Sequence, residues 1–276
     1  MHPNVPERWP EAAPDLLPVL RGTWAPAGSW RADSPLLRRA VAPFLTELVA
    51  WDTPRLRRLV QQRHVARWGV PAAQVFAEAA AHLPETTGLT REGPLWRLSA
   101  GDGYESSRLL LPGWLAAFGP GAVAAVPCSR TLCVADGDDL TALEALLTLA
   151  GSGFARGAEP ISPALYVTGP TGALRPWAPP PDHPLAAGQR QAQRALQMKA
   201  YAAQDEALAE QGIPHAPVTL LSPDDPRLSC VLRPGVWLPE VEVVQVDGAR
   251  VPWSEVQPTL ERVEGVAPAR WVWRGR

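Results

Sequence analysis

Apolar residues recur every three or four positions over residues 57–68 and again over 71–83, a spacing that predicts two consecutive helices. Gly69 ends the first, Pro71 opens the second, Pro84 stops it, and Val75, Phe76, Ala79 and Leu83 share its apolar face. A third helix is predicted over 140–150, capped by Asp138 or Asp139, with Leu140, Leu143, Leu146, Leu147 and Ala150 on one side; the glycine-rich GSGFARG at 151–157 ends it. The longest runs over 183–211, with a narrow stripe of Leu185, Ala192, Leu196, Ala203 and Ala207, and stops at Gly212 and Pro214. Short apolar runs bounded by Gly, Pro, Asp and Ser predict strands at 95–99, 164–168, 173–177 and in VTLLS, SCVLR and EVEVVQVDG, and AVAAVPCSRTLCVAD predicts a hairpin. Residues 36–41 fit a helix, 44–51 a strand, and a short helix follows Pro112.

These elements predict an α+β fold: a mixed or antiparallel sheet of short strands packed by helices, with a β-rich C-terminal lobe. Residues 1–34 alternate Pro, Trp and Gly and predict an extended arm pinned by Trp9, Trp24 and Trp30. Residues 35–178 form the α+β core, and after the proline-rich break PWAPPPDHP residues 183–276 supply the long helix and the lobe.

The 276 residues, 46% apolar and 20% charged, are enough for one large domain or a domain with an appended lobe. A net charge of −2, from 26 basic and 28 acidic residues, argues against the electrostatic footprint of a nucleic-acid binder. Each long apolar stretch is broken before the roughly 20 residues of a membrane span, so no membrane association is expected. The N-terminal MHPNVPERWPEAAP has neither the basic nor the apolar region of a targeting peptide. Cys128, Cys133 and Cys230 form no Cys-x-x-Cys pair and are odd in number, which favours a reducing, cytoplasmic compartment. The 12 tryptophans are scattered and read as core anchors.

The most distinctive stretch is GDGYESSRLL at 101–110, set between a strand and a short helix. With LVQQRHVARWGV and VFAEAAAHLP before it, and AVPCSRTLCVAD and EPISPALYVTGPTGALRP after it, the chain over residues 57–177 resembles the domain-of-unknown-function 1444 family of bacterial proteins. That resemblance implies a cytosolic protein and marks Asp102, Gly103, Tyr104, Ser107 and Arg108 as positions of interest. It implies no reaction.

Two readings of the motif stand. In the first it is a turn: Asp102 accepts backbone N–H bonds, Gly103 takes positive φ, Ser106 or Ser107 caps a helical turn, and Arg108 pairs with Asp102. In the second, Asp102, Tyr104, Ser107 and Arg108 form a binding surface, with the Arg108 guanidinium as a fork for an anion or a partner's carboxylate; burial of Arg108 against Asp102 would remove it. The expected function is a non-enzymatic binding module for a protein or a small anionic ligand. The rival is a hydrolase-like enzyme using the same four side chains in a cleft. His2, His64, His82, His183 and His215 show no metal-ligand spacing, and neither GPTGA at 169–173 nor GSGFARG has the Gly-Lys-Ser/Thr ending of a phosphate loop, so no metal and no cofactor is expected. Cys128 beside Arg130 is the one candidate nucleophile, since a neighbouring cation lowers a thiol pKa. The stripe of the 183–211 helix could also seat a second copy in a weak homodimer.

Overall fold

The structure, a computed structural model, describes residues 4–25, 31, 35–83 and 88–274. Trp30 and Pro84, expected as an anchor and a helix stop, lie outside the described residues. The fold is α+β, with helices packed on several largely antiparallel sheets. The chain divides into two units, one of Met1–Gly22 with Pro35–Ala192 and one of Thr23–Ser34 with Gln193–Arg276.

In the first unit, Leu45–Thr53 is the central strand of a four-stranded antiparallel sheet. Leu16–Gly22 flanks it on one side, and Arg38–Ala42 and Leu56–Leu59 share the other. A second, six-stranded antiparallel sheet runs in the order Leu174–Pro176, Leu165–Thr168, Val123–Cys128, Thr131–Ala135, Leu95–Leu98 and Leu89–Glu92. Because successive strand side chains point to opposite faces, Ala124 and Val126 join a core with Leu20, Leu45, Leu132 and Tyr166, while Val123 and Ala125 meet Ala142, Leu143, Leu146 and Ala150 of the helix Leu140–Arg156. That double burial is why the hairpin reads as a continuous apolar run. Asp139 caps this helix, its side chain accepting from the Ala142 N–H at 3.0 Å. The helix Ala72–His82 buries Val75, Phe76 and Ala79, as their spacing predicts.

Several sequence expectations are corrected. The extended arm expected over residues 1–34 does not hold for its described part: Leu16–Gly22 is a core strand whose Leu16, Val19 and Leu20 are buried. Residues 38–42 form a strand, not a helix, because pairing with Leu45–Leu48 outweighs their weak helical pattern. The helix predicted over 57–68 begins only with Gln62–Trp68, its first residues being drawn into the hairpin strand Leu56–Leu59; Gly69 ends it in the left-handed conformation. GSGFARG does not stop its helix, which continues to Arg156. There Gly153 lets the helix lie against the hairpin, since a Cβ would come within 2.8 Å of the Pro127 ring.

The helix Ala186–Glu210 begins in the first unit, where Gln189 bonds both Leu165 backbone groups and the Trp177 carbonyl. The face it buries shares Leu196 with the predicted stripe but is otherwise rotated away from it. Gln189, Leu196, Ala200, Tyr201, Gln204 and Leu208 are buried, whereas Leu185, Ala192, Ala203 and Ala207 are half-buried. Sequence periodicity missed the polar members because their amides are satisfied only by tertiary partners.

The second unit contains a four-stranded sheet, in the order Thr219–Ser222, Asp225–Val231, Val243–Val246 and Ala249–Pro252, and a three-stranded sheet of Trp237–Pro239, Arg270–Val272 and Glu261–Val263. At its centre Arg270 is fully buried, ion-paired with Asp205, bonded to Gln204 and the Ala216 carbonyl, and stacked 4.7 Å from the Tyr201 ring centroid.

Candidate functional site

Residues 101–110 begin with two glycines at positive φ, 74° at Gly101 and 77° at Gly103, which turn the chain sharply after the strand Leu95–Leu98. Asp102 accepts the Tyr104 N–H at 2.8 Å, and Glu105 folds back so that its Oε1 accepts the Gly101 N–H at 2.8 Å. The 3-10 turn Ser106–Leu110 follows. Despite its polarity the stretch is interior: Tyr104, Glu105, Ser106, Ser107 and Arg108 are all buried. Two sheets hold it there. Ser107 Oγ accepts the Leu20 N–H at 3.1 Å, covering the free edge of the four-stranded sheet, and the Ser106 N–H reaches the Ser129 carbonyl in the hairpin of the six-stranded sheet.

The four predicted side chains are close neighbours in the fold but do not form one surface. Arg108 is completely buried, its two terminal nitrogens donating to Asp102 at 3.2 Å and 2.7 Å. The Arg108 fork is therefore turned inward on Asp102 and is not offered to a ligand; that reading of Arg108 is corrected. Burial raises the Asp102 pKa, but the Arg108 hydrogen bonds, the Tyr104 N–H and the Arg108 charge outweigh it and hold the carboxyl below its ordinary value. The Tyr104 phenol donates to Asp52 at 2.5 Å, and burial together with that carboxylate pushes its pKa far up. Arg57 stacks on the Tyr104 ring at 4.3 Å and pairs with Asp52 at 3.2 Å.

Beside the motif lies a cleft of about 480 Å³ lined by Arg57, Asp102, Glu105, Ser129, Arg130 and Glu159, with Gly101, Gly103 and Ala158. Of the four predicted residues, only Asp102 lines it. Most of its charge is internally committed: Asp102 to Arg108, Arg57 to Asp52, and Glu159 to Arg21 at 3.1 Å. Two groups are not. Arg130 is exposed at the hairpin tip and makes no ion pair or side-chain hydrogen bond among the described residues. Glu105 is only 4% exposed, and its Oε2 is buried with no hydrogen-bond partner. Glu159 also holds a left-handed φ of 53°, a backbone conformation that costs about 1–3 kcal/mol and persists only where its surroundings enforce it. Here the Glu159 carbonyl accepts the Ser129 N–H and its carboxylate meets Arg21.

Sequence reasoning therefore found the segment but missed Glu105 and did not connect Arg130 to the motif. In the sequence Arg130 stands out only as the neighbour of Cys128. Cys128 is half-buried, its Sγ 3.3 Å from Thr131 Oγ1, and it does not line the cleft. No group of His, Cys, Asp and Glu that could hold a metal ion occurs among the described residues, and no helix among them is long and apolar enough to cross a membrane.

No family model, no curated protein and no solved structure matches the chain.

Proposed function

We propose that the chain is a non-enzymatic binding module whose cleft beside residues 101–105 takes a small ligand carrying both an anionic group and a hydrogen-bond donor. The observation that carries this reading is the pair left over once the other charges are matched: Arg130 for the anion, and the buried, unpartnered Glu105 Oε2 for the donor. An orphaned buried acceptor costs about 1–3 kcal/mol, and a ligand N–H recovers that cost on binding. The volume of the cleft lies within the range of small-molecule sites.

The hydrolase reading has weaker support. Its hydroxyl, Ser107, is buried and bonded to Leu20, its arginine is closed on Asp102, and its phenol holds its proton tightly. We further infer a likeness to the 1444 family from the stretches at residues 57–177, and a reducing cytoplasmic location from the three free cysteines.

The test is ligand-observed magnetic resonance with a panel of free amino acids, short peptides and the corresponding acids lacking the amino group. Binding should require a free carboxylate, weaken at least tenfold in Arg130→Ala, and weaken when the amino donor is absent. Equal binding by the native protein and Arg130→Ala would sink the proposal.

A further inference from the structure

A second cleft, of about 550 Å³, opens in the same unit between residues 4–7 and the segment 58–67. Its charge was masked in the whole-chain balance: from Thr53 to Ala77 the sequence has five arginines, one histidine and no carboxylate. The fold divides four of those arginines between two places. Arg57 lines the cleft beside Asp102, whereas Arg58, Arg63 and Arg67 line this one together with His64 and Gln61. Arg67 is tied to Glu7 at 2.6 Å, an exposed pair of the kind that water screens and a ligand can share. Arg58 and Arg63 are exposed and make no ion pair or side-chain hydrogen bond among the described residues. His64 is held in one tautomer. Its Nδ1 accepts the Gln61 N–H at 3.0 Å, and burial, with Arg63 and Arg67, lowers the imidazole pKa, so the neutral ring carries its proton on Nε2 as a further donor.

We propose that this cleft is an anion site for a small phosphorylated ligand of several negative charges, a diphosphate or a closely similar group. Three guanidiniums and an imidazole N–H supply more donors than the two oxygens of one carboxylate can accept. A diphosphate offers enough oxygens and enough charge to meet them. Among the described residues Glu7 is the one carboxylate lining the cleft, and the arginines outnumber it. Arg58 and Arg63 are exposed, so replacing them should leave the fold intact.

The experiment is calorimetric titration of the full chain with inorganic pyrophosphate at low ionic strength, for the native protein and for Arg58→Ala, Arg63→Ala and Arg55→Ala. Arg55 is exposed on the same run but does not line the cleft, so it reports the diffuse field alone. Saturable one-to-one binding, weakened at least tenfold by Arg58→Ala and by Arg63→Ala and less than about twofold by Arg55→Ala, is the expected result. Three outcomes would overturn the site: no saturable binding, an equal loss in Arg55→Ala, or succinate binding as tightly as pyrophosphate. Single-stranded oligonucleotide bound in preference to pyrophosphate would also reject it, in favour of a nucleic-acid surface. Arg130→Ala, in the other cleft, should leave pyrophosphate binding unchanged, so the two proposals stand or fall separately.

Discussion

Arg108→Ala tests the construction of residues 101–110 most directly. The substitution removes a side chain with 1% exposure and two charge-assisted hydrogen bonds to Asp102. Breaking a buried pair by deleting one partner costs roughly 3–5 kcal/mol, since the remaining charge is left without its counterpart. The Asp102 side chain is 34% exposed, so water recovers part of its loss. Against that, deleting the buried arginine stem leaves a cavity, as in large-to-small core substitutions of about 2–5 kcal/mol. Together these place the cost at roughly 3–4 kcal/mol. Urea unfolding followed by circular dichroism measures it, with the denaturant slope compared between variants because the two units need not unfold together. The double variant Asp102→Ala/Arg108→Ala should cost little more than Arg108→Ala alone, as the two lose one shared interaction. The sign with pH follows from Asp102. Its folded pKa is depressed below 3.8, so its stabilisation is present above that value and is lost as pH falls through the folded pKa; Arg108→Ala should flatten this acid limb. A loss below about 0.5 kcal/mol, the range of ordinary surface substitutions, would refute the buried pair.

Tyr104→Phe removes the hydrogen bond to Asp52 and should cost about 1–2 kcal/mol in the same unfolding assay, while leaving the Arg57 stack in place. Glu47 is fully buried, with burial raising its pKa above 4.5 despite Arg39; its folded-state contribution is present at acid pH and lost as pH rises through the folded pKa, so Glu47→Gln should flatten the decline in stability from pH 4.5 towards neutrality. Among the thiols, burial pushes Cys133 up to about 11 and Cys230 up to about 12, so iodoacetamide at neutral pH should modify half-buried Cys128 well before either, with peptide mass mapping as the readout. Asp139→Ala removes the cap on the helix Leu140–Arg156 and should cost about 1 kcal/mol by urea unfolding.

The sequence determined the elements whose signals are local. The Val75, Phe76 and Ala79 face, the Asp139 cap, the hairpin at Val123–Cys128 and Thr131–Ala135, and the glycine turn at 101–103 follow from side-chain period, capping chemistry and backbone freedom, all of which act within a few residues. Tertiary pairing decided the rest. Leu16–Gly22 resembles a proline-flanked arm until Leu45–Thr53 is laid beside it, and residues 38–42 take the extended form because the same strand offers hydrogen bonds that a short helix could not match. The motif residues were legible as a cluster, since Asp-Gly-Tyr followed by Ser-Arg has a turn's chemistry. Their burial was not legible, because a run such as Glu105-Ser106-Ser107-Arg108 leaves water only when distant groups replace it: the Leu20 N–H, the Ser129 carbonyl and the Asp102 carboxylate. For the same reason the two side chains left unmatched in the cleft, Glu105 and Arg130, emerge only from the assembled fold. Sequence fixes which charges exist, whereas three-dimensional proximity decides which of them find partners.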